Sequence, residues 1–180
     1  MRPTVADKRQ TFRELHHTGC FVIPNPWDAG SAAILQSPGF RALASSRAGM
    51  AWSQARPDYN VARNDVLAHL TALCTATDIP VNADFENGFA DDPEGVARNV
   101  ALAIDTGVAG LSVEDSSWAP DDPLYDFDLS VARLVAARKA IDDSGSDVFL
   151  TTRSEGFFAG KPDFDDMLAR ITACEEAGAD

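Results

Sequence analysis

Three stretches of this 180-residue chain run from apolar residues into charge, as a strand does when its tip carries a site. VNADFE (81–86) ends in Asp84 and Glu86, LSVED (111–115) in Glu114, and VFLTTR (148–153) in Arg153. Side chains alternate along a strand. In the first stretch Val81, Ala83 and Phe85 share one face, and Asn82, Asp84 and Glu86 share the other. The same count sends Leu111 and Val113 outward with Ser112 and Glu114 inward. In the third it sends Val148, Leu150 and Thr152 outward, with Phe149, Thr151 and Arg153 inward. Three carboxylates converging in a partly buried mouth repel one another and lose hydration. A divalent cation resolves both problems. An all-oxygen donor set without clustered His or Cys points to Mg²⁺, or Mn²⁺ in its place, rather than zinc. Arg153 would add a fork for a carboxylate or phosphate. Taken singly, each acid also reads as a helix cap or a surface ion-pair partner; the matching phase on successive strands favours the set.

Those tips need elements to carry them. Short apolar runs alternate with helical periodicity along the chain. CFVIPN (20–25) precedes a helix capped by Asp28. FRALASS (40–46) leads through a long polar loop, RAGMAWSQARPDYN, to a helix over about 64–76. IPVNADF precedes a helix opened by Asp92-Pro93, and VAGLSVED (108–115) precedes a second polar loop, SSWAPDDPLYD, and a helix near 128–143. DVFLTTR (147–153) precedes a helix over about 163–176. Gly107 and Gly178 suit helix C-caps. Five β-then-α units in a row imply an α/β fold with a parallel sheet and right-handed crossovers. A single domain over 1–180 is expected. The closing EEAGAD announces a strand that does not follow, and a closed eight-stranded barrel takes about 200 residues or more. The pattern therefore reads either as an open five-stranded sheet or as the first five units of a barrel incomplete at its C-terminus. The long loops all follow strand C-terminal ends, where both architectures keep their sites.

Composition narrows the function classes. A formal net charge of −13 argues against nucleic acid or an anionic membrane as partner, without forbidding an anionic substrate at a local site. No run reaches membrane-spanning length and the charged N-terminus has no apolar signal core, so a cytoplasmic address is expected. Cys20, Cys74 and Cys174 have no metal-type spacing and read as reduced, buried thiols. His16 and His17 read as surface residues of an N-terminal helix, and His69 as solvated. Trp27, Trp52 and Trp118 stand in loops after strands, where they either wall a pocket or simply pack.

Five motifs in order carry a family resemblance: PNPWDAGSA (24–32), ALASSRAGMAWSQARPD (42–58), VNADFENGF (81–89), GLSVEDS (110–116) and TTRSEGF (151–157). Together they resemble the isocitrate lyase and phosphoenolpyruvate mutase superfamily. The resemblance implies a (β/α)8 TIM-type barrel, of which this chain would hold the first five units. It implies a Mg²⁺ site and a small anionic carboxylate substrate of the 2-oxo or 2-hydroxy class, cleaved or formed at a C–C bond through a metal-stabilised enolate. It assigns the metal to Asp84 directly and to Glu86 and Glu114, often through waters. Asp58 matches an acid near the metal and the reacting group, and Arg153 an arginine that grips substrate; these are the expected catalytic residues. Ser45 and Ser46 sit where the family binds the substrate carboxylate. Arg47 replaces a small residue there, and either binds a second acidic group or faces solvent. Homodimers or homotetramers are usual in the family.

Two departures qualify the resemblance. The lyases of the family carry a Lys-Lys-Cys-Gly-His loop with a catalytic cysteine after the fourth strand. SSWAPDDPLYD has no Cys, Lys or His, and it lacks the Lys- and Asn-containing signature of the mutases. The leading expectation is a Mg²⁺-dependent lyase-type enzyme. The alternatives are a phosphoenolpyruvate mutase or a phosphonopyruvate or oxaloacetate hydrolase of the same superfamily, and a catalytically silent metal-binding homologue or inactive fragment.

Overall fold

The structure, a computed structural model, describes residues 2–58 and 60–180; Tyr59, in the loop that follows the second expected strand, lies outside them. Seven helices and four strands are described: α1 Val5–His17, α2 Ala29–Gln36, β1 Leu43–Ala44, α3 Arg47–Ser53, α4 Arg63–Ala76, β2 Val81–Asp84, α5 Pro93–Asp105, β3 Gly110–Glu114, α6 Phe127–Asp143, β4 Phe149–Arg153 and α7 Phe164–Glu176. The strands form one sheet in the order β1-β2-β3-β4. β1 and β2 run parallel, with Leu43 opposite Val81 and Ala44 opposite Asn82.

Two expectations need correction. Residues 20–25 are not a strand. Pro24 and Pro26 supply no N–H, and the segment is tied to β1 by Ala44 N–H to Pro24 O (3.1 Å) and Asn25 Nδ2 to Ala44 O (3.0 Å). The expected long loop after β1 begins instead with α3, because Ser46 Oγ accepts the Gly49 N–H at 3.1 Å and caps a helical turn.

The chain divides into two compact units. The first comprises Met1–Asp84, Leu102–Leu111 and Ser146–Phe149. Here α1 starts with a capping box between Thr4 and Asp7. It buries Phe12 and Leu15 with Ala42, Ala109 and Phe149, and Phe21 and Ile23 pack against them. Phe12 meets Phe149 edge-on at 5.7 Å. A Cβ on Gly110 would lie 2.6 Å from Phe12 Cε1 and 2.6 Å from Asn82 Oδ1, so only glycine lets the first residue of β3 pass. Lys8, a buried residue of α1, donates to Cys74 O (2.8 Å) and Thr77 O (2.5 Å), and burial lowers its pKa. Cys74 is buried and Cys20 exposed, so the expectation of three buried thiols holds for Cys74 and Cys174 alone. His69 is half-buried rather than solvated. Its Nε2 has no hydrogen bond, and burial lowers its pKa against the opposing pull of Asp28. Trp27 and Trp52 are half-exposed and pack edge-on against each other at 5.8 Å.

The second unit comprises Phe85–Ala101, Ser112–Gly145 and Leu150–Asp180. Helix α5 follows Asp92, whose carboxylate accepts the Gly95 N–H (2.7 Å), and buries Val96 and Val100. Helix α6 buries Leu134, Ala137 and Ile141, and α7 is capped by Asp163. No helix of the described residues is long and apolar enough to cross a membrane.

Candidate active site

Asp84, Glu114 and Arg153 are the last residues of β2, β3 and β4. Ser45 and Ser46 follow the last residue of β1, and Glu86 stands two residues beyond β2. The expected site residues thus lie at strand C-terminal ends, in two clusters.

In the first unit, Ser45 is buried and its Oγ accepts the Asp84 N–H at 2.8 Å. Ser46 Oγ accepts the Gly49 N–H. Each hydroxyl is engaged through a lone pair, which leaves its proton to be donated elsewhere. Arg47 does not face solvent: it is 8% exposed, and its Nε reaches Asp58 Oδ1 at 3.0 Å. Its backbone N–H donates to Asp84 Oδ2 at 3.2 Å. Asp84 is half-buried, and among the described residues its Oδ1 accepts no hydrogen bond. The structure therefore gathers Ser45, Arg47, Asp58 and Asp84 around the ends of β1 and β2.

In the second unit, Glu86 (2% exposed) and Glu114 (6%) are buried, and the Glu114 N–H donates to Glu86 O at 2.8 Å. Arg153 is half-exposed; its NH1 lies 3.4 Å from Glu114 Oε1 and its Nε 2.5 Å from Glu155 Oε1. The second contact is an ion pair only, since no aligned hydrogen bond reaches that oxygen. Buried Asp115 accepts the Glu155 N–H (2.8 Å) and the Ser154 hydroxyl (3.1 Å), and lies 3.6 Å from the Arg170 guanidinium. Arg170 in turn donates to Tyr125 O at 2.9 Å. The Tyr125 hydroxyl donates to Asp91 (2.6 Å) and accepts from Asn87 Nδ2 (3.0 Å). Burial, and then the bond to Asp91, push its pKa up to about 12, so it remains a donor at neutral pH.

Sequence reasoning missed Glu155, Asp115, Arg170 and Arg133, a buried residue of α6 whose guanidinium donates to the Asn87, Ala90 and Asp91 carbonyls. The period-two count that selects Arg153 also selects Glu155, so that residue was within reach. Asp115 lies one residue past the end of β3, where strand alternation assigns no face. Arg170 and Arg133 sit on helices, where no short motif marks them.

The donor set fits a hard divalent cation. Every candidate ligand is a carboxylate, and Asp84 Oδ1 is open. Among the described residues no three His, Cys, Asp or Glu side chains approach closely enough to hold a metal by themselves. The convergence of three carboxylates expected from the strand phase is therefore not seen among the described residues; Mg²⁺ in general takes one or two carboxylates and completes its shell with waters and substrate oxygens. A groove of about 650 Å³ between α5 and α6, over Ala97, Ala101 and Ala140, runs along helix flanks and includes none of these residues.

The family model for phosphoenolpyruvate phosphomutase matches residues 12–180. The chain belongs to that family, within the phosphoenolpyruvate mutase/isocitrate lyase superfamily, and its α/β fold with a parallel sheet is that of the superfamily's TIM-barrel-type members. A lyase/mutase-type protein of Burkholderia cenocepacia J2315 overlays with a TM-score of 0.95 at 44% identity, covering 98% of this chain and 63% of that one. Phosphonopyruvate hydrolase, solved in complex with oxalate and Mg²⁺, overlays with a TM-score of 0.89 at 26% identity, covering 96% and 61%. The chloroplastic carboxyvinyl-carboxyphosphonate phosphorylmutase of Arabidopsis thaliana is 30% identical over 190 residues, which span 100% of this chain and 55% of that enzyme. The chain therefore spans 55–63% of the length of these proteins.

Proposed function

We propose that the chain carries the metal and carboxylate site of a Mg²⁺-dependent lyase-type enzyme that cleaves or forms a C–C bond in a small 2-oxo or 2-hydroxy carboxylate. The observation that carries this reading is the state of Asp84 and its neighbours. One carboxylate oxygen is held by the Arg47 N–H and the other is open, while Ser45 and Ser46 keep hydroxyl protons to donate. An open carboxylate oxygen beside unspent hydroxyl donors matches a cation and a bound carboxylate together. A bound divalent cation would polarise a 2-oxo group and offset enolate charge as the bond breaks. The assignment of Glu86 and Glu114 to the same ion rests on the sequence motifs.

The protein's own residues supply the rest. Ser45 and Ser46 donate to the substrate carboxylate. Arg153 presents its guanidinium to a second anionic group, with Glu155 against its Nε. Arg47 holds Asp58 by an ion pair, which keeps that acid in place near the reacting group. The phosphorus–carbon reading is the alternative, favoured by the match to the phosphomutase family and by the likeness to a phosphonopyruvate hydrolase. Against it, SSWAPDDPLYD lacks the mutase signature.

The test is turnover by the full chain with Mg²⁺ and oxaloacetate, methylisocitrate, phosphoenolpyruvate or phosphonopyruvate, followed by ¹H and ³¹P NMR with an EDTA control. C–C cleavage that EDTA and Asp84→Ala both abolish is the expected result. Release of phosphate from phosphonopyruvate would establish the alternative. Absence of both turnover and calorimetric Mg²⁺ binding would leave a catalytically silent chain and overturn the proposal.

A further inference from the structure

The turn between β2 and α5 carries Glu86 in a conformation the backbone resists. Glu86 has φ 51°, Gly88 72° and Phe89 55°. Left-handed backbone suits glycine but strains glutamate and phenylalanine, and it persists only where the surroundings over-determine it. The turn also departs from strand alternation: Phe85, Glu86, Asn87 and Gly88 are all buried. A buried turn must still satisfy every carbonyl.

Two side chains do so. Arg133, on α6, is 1% exposed. Its guanidinium donates to Ala90 O (2.5 Å), Asp91 O (2.9 Å) and Asn87 O. Asn99, on α5, donates to Gly88 O (2.8 Å) and Phe89 O (3.1 Å). Five consecutive carbonyls, 87 to 91, are thus taken by one buried arginine and one buried asparagine. Arg133 also lies over the Tyr125 ring at 3.8 Å, and the Tyr125 hydroxyl donates to Asp91 of the same turn. A buried guanidinium is costly, as the lowering of its pKa by burial reflects. An apolar side chain of similar length would fill the space without that cost, but it would leave three carbonyls bare.

We propose that Arg133 is a positioning residue: it holds the strained Glu86 turn in its cation-binding form and links that turn to Tyr125, at the end of the loop after β3. The role in cation binding rests on the reading of Glu86 in the preceding section. Asn99 secures the turn's middle, and Arg133 secures both of its ends. Lysine cannot reproduce the function, because a single ammonium lacks the planar fork that reaches three carbonyls at once.

The experiment compares the full wild-type chain with Arg133→Lys, and with Arg138→Lys on the same helix as a control. Amide hydrogen exchange and calorimetric titration with Mg²⁺ alone are read on each. In Arg133→Lys the Gly88 and Phe89 amides, bonded to Phe85 O and Asn87 Oδ1, should exchange at least tenfold faster. The Ala109 amide, bonded to Val81 O, should be unchanged. Mg²⁺ affinity should fall about tenfold, the scale for loss of a residue that supports a ligand. Arg138→Lys should do neither. Turn amides as protected as in wild type would overturn the proposal. So would an equal rise in exchange at Ala109, which would mark general destabilisation, or unchanged Mg²⁺ affinity despite a loosened turn. A wild-type chain that binds no Mg²⁺ would sink the functional reading of Glu86 instead, and the exchange comparison alone would then uphold or overturn Arg133 as the residue that holds the turn.

Discussion

Asp84 is half-buried with one open carboxylate oxygen, whereas Glu155 and Asp115 are buried against arginines. The two clusters differ in how far each is neutralised before any ligand arrives. A half-exposed carboxylate can wait for a cation, because water solvates it meanwhile. A buried carboxylate must be paired from the outset. Ligand binding at the first cluster therefore adds partners, while at the second it exchanges them: Arg153 contacts Glu114 and Glu155, and a substrate anion would have to compete for the same guanidinium.

Asp84 is the position where a substitution should act most strongly. Asp84→Asn keeps the shape and removes the charge, and Mg²⁺ binding by calorimetry should weaken by at least roughly a hundredfold, the upper end of what loss of a ligand's support alone produces. Wild-type affinity in that variant would mean the first cluster does not hold the ion. Next in size is Arg47→Met, which removes the guanidinium that lies 3.0 Å from Asp58. Asp58 is about one-third exposed, so the cost falls below that of a fully buried pair, on the order of 2 kcal/mol. Urea midpoints would report it, and an unchanged midpoint would remove the ion pair from the account.

Glu155→Gln sharpens the other side. With Glu155 neutral, Arg153 should settle onto Glu114. Oxalate affinity in saturating Mg²⁺ should drop about tenfold, and affinity for Mg²⁺ alone should stay within about twofold. Tighter oxalate binding would show that Glu155 competes with substrate rather than aiming the arginine. The smallest effect concerns the thiols. Burial raises Cys74 from 9.0 to about 11, so the folded chain favours the protonated form. Its contribution to stability is complete below about pH 9 and is lost as pH rises through about 11, a total decline of at most about 3 kcal/mol. Denaturation at pH 8 and 10.5 should show this slope in wild type and a shallower one in Cys74→Ala. Iodoacetamide at pH 8 should label exposed Cys20 and spare Cys74.

Much of the framework was legible because it follows local rules. Asp28 caps α2 and Asp163 caps α7, with side chains accepting backbone N–H groups as those residue types predict. Gly107 and Gly178 end helices at φ 90° and 103°. Val81, Ala83 and Phe85 are buried on the face that alternation assigns them. Residues 20–25 misled because apolar content resembles a strand even where prolines remove the ladder donors. Alternation loses its meaning once the backbone leaves the extended region: Glu86, at φ 51°, is buried, and so is its neighbour Phe85.

From sequence alone came the family, the strand tips and the acids on them, since periodicity, caps and motif order are properties of neighbouring residues. The tertiary structure decided which charges are paired. Arg47 reaches Asp58 across 11 positions, Arg170 reaches Asp115 across 55, and Arg133 reaches the carbonyls of residues 87, 90 and 91 from a helix more than 40 positions away. No local pattern encodes such contacts, because an arginine's partner is set by which backbone the fold brings within reach of its fork.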